Sequence, residues 1–141
     1  MHKLQMTKRI TDAIQTHMEG TAPYVAGGFL FGQGEEVQEF APALNVVDGL
    51  PDHFEFDIED LDRASDLAAK RNMEAIGFYC SCPKKAFDLN MLFVNELPEQ
   101  CFLLVGLTED VELSDFEVYF KGEEGITLSE FSLVEIQEAN Y

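Results

Sequence analysis

Apolar and polar positions change period twice within the first 47 residues. Ile10, Ala13, Ile14, His17 and Met18 recur at i, i+3, i+4, i+7 and i+8, the spacing that lays one apolar stripe along a helix. A first helix of about four turns ending at Gly20 is predicted, with His17 on or beside its buried face in a structural role. The run Ala26-Gly27-Gly28-Phe29-Leu30-Phe31-Gly32 is closed by Gly32-Gln33-Gly34, and Glu36 to Val47 resumes with β-branched and aromatic residues. That order predicts a hairpin, with Pro42 at a bulge or an edge.

Asp48-Gly49-Leu50-Pro51-Asp52 is turn chemistry, and His53-Phe54-Glu55-Phe56 carries its two phenylalanines at period two. Asp57 is a good N-cap with Asp60 at the third helical position, and Ile58, Leu61, Ala64, Leu67 and Ala68 form the stripe of a second helix ending near Asn72. Ala75-Ile76-Gly77-Phe78-Tyr79-Cys80 is almost wholly apolar, as in a strand buried on both faces, and Pro83 ends it. A third helix is expected from about Phe87 to Glu96, then a strand over Cys101–Leu107 and two more over Phe116–Lys121 and Phe131–Ile136. No repeat or linker interrupts the pattern. Residues 1–141 read as one domain of the α/β (α+β) class, a mixed sheet covered by about three helices.

Composition narrows the partners. The 12 Phe, 4 Tyr and hydrophobic fraction of 46% suffice for a folded core. Nine basic against 27 acidic residues leave a formal net charge of −18, which repels the phosphates that nucleic-acid affinity requires. Nucleic acid and anionic membranes are excluded as partners on this ground, whereas a basic protein partner or a high-salt solvent suits the excess. No window approaches 18 apolar residues, and the start MHKLQMTKRITDAIQ lacks the apolar stretch of a secretion signal. A cytoplasmic chain is expected. Three cysteines, an odd number, make no disulfide framework.

The stretch that could carry chemistry is Cys80-Ser81-Cys82-Pro83. Residues i and i+2 of a strand point to one side, so both sulfurs face one space. Three readings stay open. The pair could be small apolar fillers. They could be thiolate ligands of a zinc ion, with Asp88 and Cys101 as further candidates. Or they could form a reactive thiol pair, since Lys84 and Lys85 follow directly and positive charge lowers a thiol pKa. His2, His17 and His53 have no ligand spacing. The sequence holds no phosphate loop, no Gly-x-Ser-x-Gly elbow and no His-Glu-x-x-His.

From about residue 8 to 107 the order of elements and the local phrases resemble the JAB/MPN (JAMM) family of zinc metalloproteases and their inactive relatives. Pro23 to Gly32 stands where similar proteins have a proline followed by Cys-Gly-Leu-Leu-Leu-Gly. Pro42-Ala43-Leu44-Asn45 matches a Pro-x-x-Asn segment, and Phe54 to Leu61 is similar to the junction before the second helix. Ile76-Gly77-Phe78-Tyr79-Cys80-Ser81-Cys82-Pro83 sits where the family runs a buried strand into His-Ser-His-Pro. Ser and Pro hold while each His is Cys. The resemblance implies a single JAB/MPN-like domain with a curved mixed sheet.

It also implies where the chemistry should be. The two zinc-binding histidines fall on Cys80 and Cys82, and the aspartate falls on Phe93 with its serine on Asn90. Only a loop shortened by five residues puts Asp88 in the aspartate's place, with Lys85 at the serine position. The glutamate that serves as general base falls on Val25, while Glu19 and Glu35 are out of register. A metal-bound water needs a base within hydrogen-bond reach, and Val25 cannot take a proton. The resemblance therefore implies a catalytically inactive, protein-binding or scaffold module, with a ubiquitin-like or basic protein as partner. No cofactor is expected on this reading. The alternative is a zinc-dependent (iso)peptidase-like or thiol-based activity, with zinc held by Cys80, Cys82 and Asp88.

Overall fold

In the computed structural model, which describes residues 3–21, 26–43, 58–84, 100–110, 112–123 and 125–134, the first element is a short strand. Leu4 and Met6 are buried in alternation with half-buried neighbours in β1 (Lys3–Thr7). Thr7 then caps α1 (Lys8–Thr21), its Oγ1 accepting the Ile10 N–H at 3.4 Å, one of the donors a first helical turn leaves without an internal partner. Ile10, Ile14 and Met18 are the buried positions of α1, as the stripe predicts.

The hairpin is present as β2 (Gly27–Gln33) and β3 (Glu36–Ala43), with a register shift between Phe31 and Gly32. Pro42 pairs with Gly28 of β2 in the part of β3 beyond Val37, where β1 no longer pairs with it, so one side of β3 is an edge there among the described strands. α2 (Ile58–Lys70) follows. Asn72 takes a left-handed conformation (φ 59°) and Met73 N–H donates to Ala68 C=O at 2.9 Å, the bond pattern of a Schellman stop. Ala68 is buried, but Leu67 is 63% exposed, so Leu67 does not join the buried stripe in which periodicity places it.

β4 (Glu74–Pro83) and β5 (Cys101–Glu109) are the two nearly continuous apolar runs, and β6 (Glu112–Gly122) and β7 (Gly125–Val134) complete the set. The strand order is β1-β3-β2-β4-β5-β6-β7, closed into a barrel. This corrects the expected fold class. The architecture is a closed seven-stranded barrel with two helices among the described residues, not an α/β curved sheet flanked by about three helices. The closure depends on β1, which pairs in parallel with β3 at Gln5–Met6 and with β7 from Lys3 to Thr7. A five-residue strand with two apolar positions is too brief to be read from periodicity, and without it the sheet would have two edges. The third helix expected over 87–96 and the alternating segment 53–56 lie outside the described residues.

The central strands, β2 and β5 most regularly, send alternate side chains to two separate clusters. Leu4, Met6, Leu30, Tyr79, Leu104 and Val118 pack with Ile10, Ile14 and Met18 of α1. Phe29, Phe78, Cys80, Cys82, Leu103 and Val105 share the other face with Ala68 of α2. Two glycines make the α1 side fit. A Cβ at Gly106 would lie 2.2 Å from Met18 Sδ, and one at Gly28 would lie 2.4 Å from both Ala41 C=O and the Tyr79 ring.

Candidate functional site

Along β4, Cys80 and Cys82 face the α2-side cluster, whereas Tyr79 faces α1. The spacing argument for a shared space is thus met, but the space is dry. Cys80 is 0% and Cys82 2% exposed. Burial among apolar side chains pushes the Cys80 thiol far above its ordinary pKa, and the neighbouring Cys82 raises it further. Cys82 Sγ points its proton toward Pro83 C=O at 3.6 Å.

Ser81, between the two, makes the contact that organises the site. Its N–H donates to Ala26 C=O and its Oγ accepts the Ala26 N–H, both at 2.8 Å. Ser81 is itself buried. The chain entering β2 is therefore docked onto β4 between the two cysteines, and Ala26 is the residue that follows Val25 in sequence. Val25 lies outside the described residues, as do Lys85, Asp88, Asn90 and Phe93.

The other candidates are engaged elsewhere. Cys101 belongs to the same apolar cluster, but Phe102 pairs with Gly77 while Val105 pairs with Cys80. That places Cys101 four residues down the strand from the Cys80 level, about 13 Å away. Its thiol is pushed up to about 11 by burial, against a lowering by Lys121. Lys84 turns to Glu109 and Asp115, with Nζ at 3.4 and 3.6 Å. Glu19 accepts the Leu113 N–H of β6 at 2.9 Å, and Glu35 accepts the Lys3 N–H at 2.9 Å. His17 Nδ1 lies 2.8 Å from Tyr79 Oη with the rings edge to face. This is the structural role expected of a histidine beside the apolar stripe. Burial lowers its pKa.

A zinc ion of the kind the family resemblance implies needs at least three protein donors around one point. Among the described residues no group of three or more His, Cys, Asp or Glu side chains converges in that way. A thiol must also lose its proton to ligate, a loss that a bound cation itself would drive. Of the donors that the resemblance implies, Cys80 and Cys82 are described and share one face, and Asp88 lies outside the described residues.

Sequence reasoning missed two features of this region. The Ser81–Ala26 exchange could have been suspected from a lone polar residue inside a buried apolar strand, since such a hydroxyl must find a partner. The His17–Tyr79 bond pairs residues 62 apart in sequence and has no local signal.

No family model matches this sequence, and no curated protein matches it. Solved structures do match in fold. The solution structure of a protein from Desulfitobacterium hafniense superposes with a TM-score of 0.78 at 19% identity, over 96% of this chain and 95% of that one. One from Salinibacter ruber gives 0.66 at 16% identity, over 97% and 95%. The crystal structure of a JAB1/MPN domain protein from Archaeoglobus fulgidus gives 0.58 at 12% identity, over 94% of this chain and 100% of that one. At these identities the likeness speaks for the fold alone, and that fold is distantly MPN-like.

Proposed function

We propose that the chain is a catalytically inactive MPN-like domain, one unit over residues 1–141, that works by binding a protein partner in the cytoplasm. The observation that carries this reading is the Ala26–Ser81 exchange. It joins the segment that follows Val25 to the Cys80-Ser81-Cys82 stretch, so the two sequence regions that the resemblance pairs as base and metal site are neighbours in the fold. At those positions the chain carries an isopropyl group and two cysteines in place of a carboxylate and two imidazoles. Without a base at that position, water attack by the family route loses roughly 10²–10⁴-fold in rate. The burial of Cys80 supports the same conclusion for thiol chemistry, because the nucleophile and ligand is the thiolate.

What the domain retains is a surface. A formal charge of −18 favours a basic partner or a basic patch on a ubiquitin-like one, and steers encounter more than it sets affinity. Elemental analysis of the untagged protein after zinc loading and desalting tests the metal side of this reading. Substoichiometric zinc, unchanged in a Cys80→Ser/Cys82→Ser variant, is expected. About one zinc per chain, lost in that variant, would return the site to the zinc enzymes.

A further inference from the structure

At the end of the barrel far from Ser81, the β2–β3 turn and the beginnings of β4 and β5 surround a cavity of about 440 Å³. Its floor is the end of the α1-side core, Ile76, Phe102 and Phe120, all buried. The Phe102 and Phe120 rings meet edge to face with centroids 5.0 Å apart. Its rim carries Glu35, Glu74 and Gln100. Two of these are held in place by backbone bonds: Glu35 Oε2 accepts the Lys3 N–H at 2.9 Å, and Gln100 N–H donates to Lys121 C=O at 2.7 Å.

The charge of this mouth is one-sided. Among the described residues its lining holds two carboxylates and no Lys, Arg or His. Lys121 follows Phe120 in the chain and the Lys3 N–H bonds Glu35, but each lysine alternates to the opposite face of its strand from buried Phe120 and Leu4. An apolar, aromatic floor beneath a carboxylate rim complements a molecule with an apolar stem and a positive head, since aromatic rings and carboxylates both attract a cation. The volume lies in the range of small-molecule sites.

We propose that the barrel mouth binds a small organic cation, an alkylammonium or alkylguanidinium compound. Its stem would rest on Ile76, Phe102 and Phe120 and its head would lie between Glu35 and Glu74. This stands apart from the protein-binding reading and does not depend on Cys80, Cys82 or Val25.

Titration of the ¹⁵N-labelled protein with n-pentylammonium chloride, followed by amide chemical shifts, tests it. Saturable shifts confined to Glu74–Ile76, Gln100–Phe102 and the 34–35 turn are expected. 1-Pentanol, which has a stem of similar length and no charge, should bind far more weakly. The Glu35→Gln/Glu74→Gln variant keeps the acceptor that Lys3 needs and should weaken pentylammonium binding by about tenfold, as loss of two solvent-screened ion pairs implies. Glu74→Gln alone, at an exposed position, should give an intermediate loss. Shifts that fail to saturate and spread over the acidic surface would overturn the proposal. So would equal binding of pentylammonium by the double variant, or binding only of an arginine-containing peptide and not of pentylammonium.

Discussion

Ala26 and Ser81 exchange two hydrogen bonds of 2.8 Å, one through the Ser81 backbone and one through its hydroxyl. The second is what a serine adds to an otherwise apolar strand. Replacing Ser81 by Ala keeps the ladder contact but leaves the Ala26 N–H without its acceptor in a buried setting. An orphaned buried donor costs about 1–3 kcal/mol. Ser81→Ala should lose that much in urea unfolding, while Ser81→Thr, which keeps the hydroxyl, should lose less. Equal stability of Ser81→Ala and wild type would mean that the hydroxyl bond contributes nothing.

Gly106 gives a second, coupled prediction. A methyl at this position would meet Met18 Sδ at 2.2 Å, so Gly106→Ala forces α1 or Met18 to shift, at a cost of about 1–3 kcal/mol. Met18→Ala empties a buried site and should cost about 2–5 kcal/mol by itself. The double variant should be more stable than the sum of the two losses allows, because the new methyl occupies part of the vacated space. Strict additivity in chemical denaturation would refute the contact.

The His17–Tyr79 bond makes stability depend on pH in one direction. Burial lowers the His17 pKa in the folded chain, so below the unfolded value of about 6.5 the unfolded state binds the extra proton first. The stabilisation is complete above about pH 6.5 and is lost as pH falls through the lower folded value. The stability difference between wild type and His17→Asn should therefore be largest at pH 7–8 and shrink as the solution is acidified. Tyr79→Phe should remove the bond at all pH values, and a difference that grows on acidification would contradict this assignment.

Much of the framework was legible, and the limits follow from chain distance. Ile10, Ile14 and Met18 identify α1 because a helix stripe is a local signal, and β4 and β5 are legible as long apolar runs bounded by polar residues. Barrel closure was not legible. It rests on Leu4 and Met6 meeting Phe131 and Leu133 in parallel register, a pairing between the two ends of the described chain that no window contains. Leu67 fits the helical period yet remains exposed, since period says which side a residue is on and not how wide a strip the neighbour covers. For the site, alternation placed both sulfurs on one face. Whether that face was wet or dry depended on Leu103, Val105 and Phe29 arriving from other strands.

Thiol reactivity follows from the same burial. Cys80, with its thiol pushed up by its apolar surroundings, and Cys101, raised to about 11, should react with a thiol-specific disulfide reagent only as fast as the barrel opens. Labelling should accelerate with urea in parallel with unfolding. Stoichiometric labelling of Cys80 within seconds under native conditions, seen by mass spectrometry, would instead reveal an accessible thiolate.

The central claim is the absence of isopeptide hydrolysis, and it is tested most directly by incubating the purified chain with isopeptide-linked ubiquitin-like dimers in the presence and absence of added zinc. No cleavage above the protein-free control is expected in either case. Turnover that a chelator abolishes and zinc restores would contradict the account.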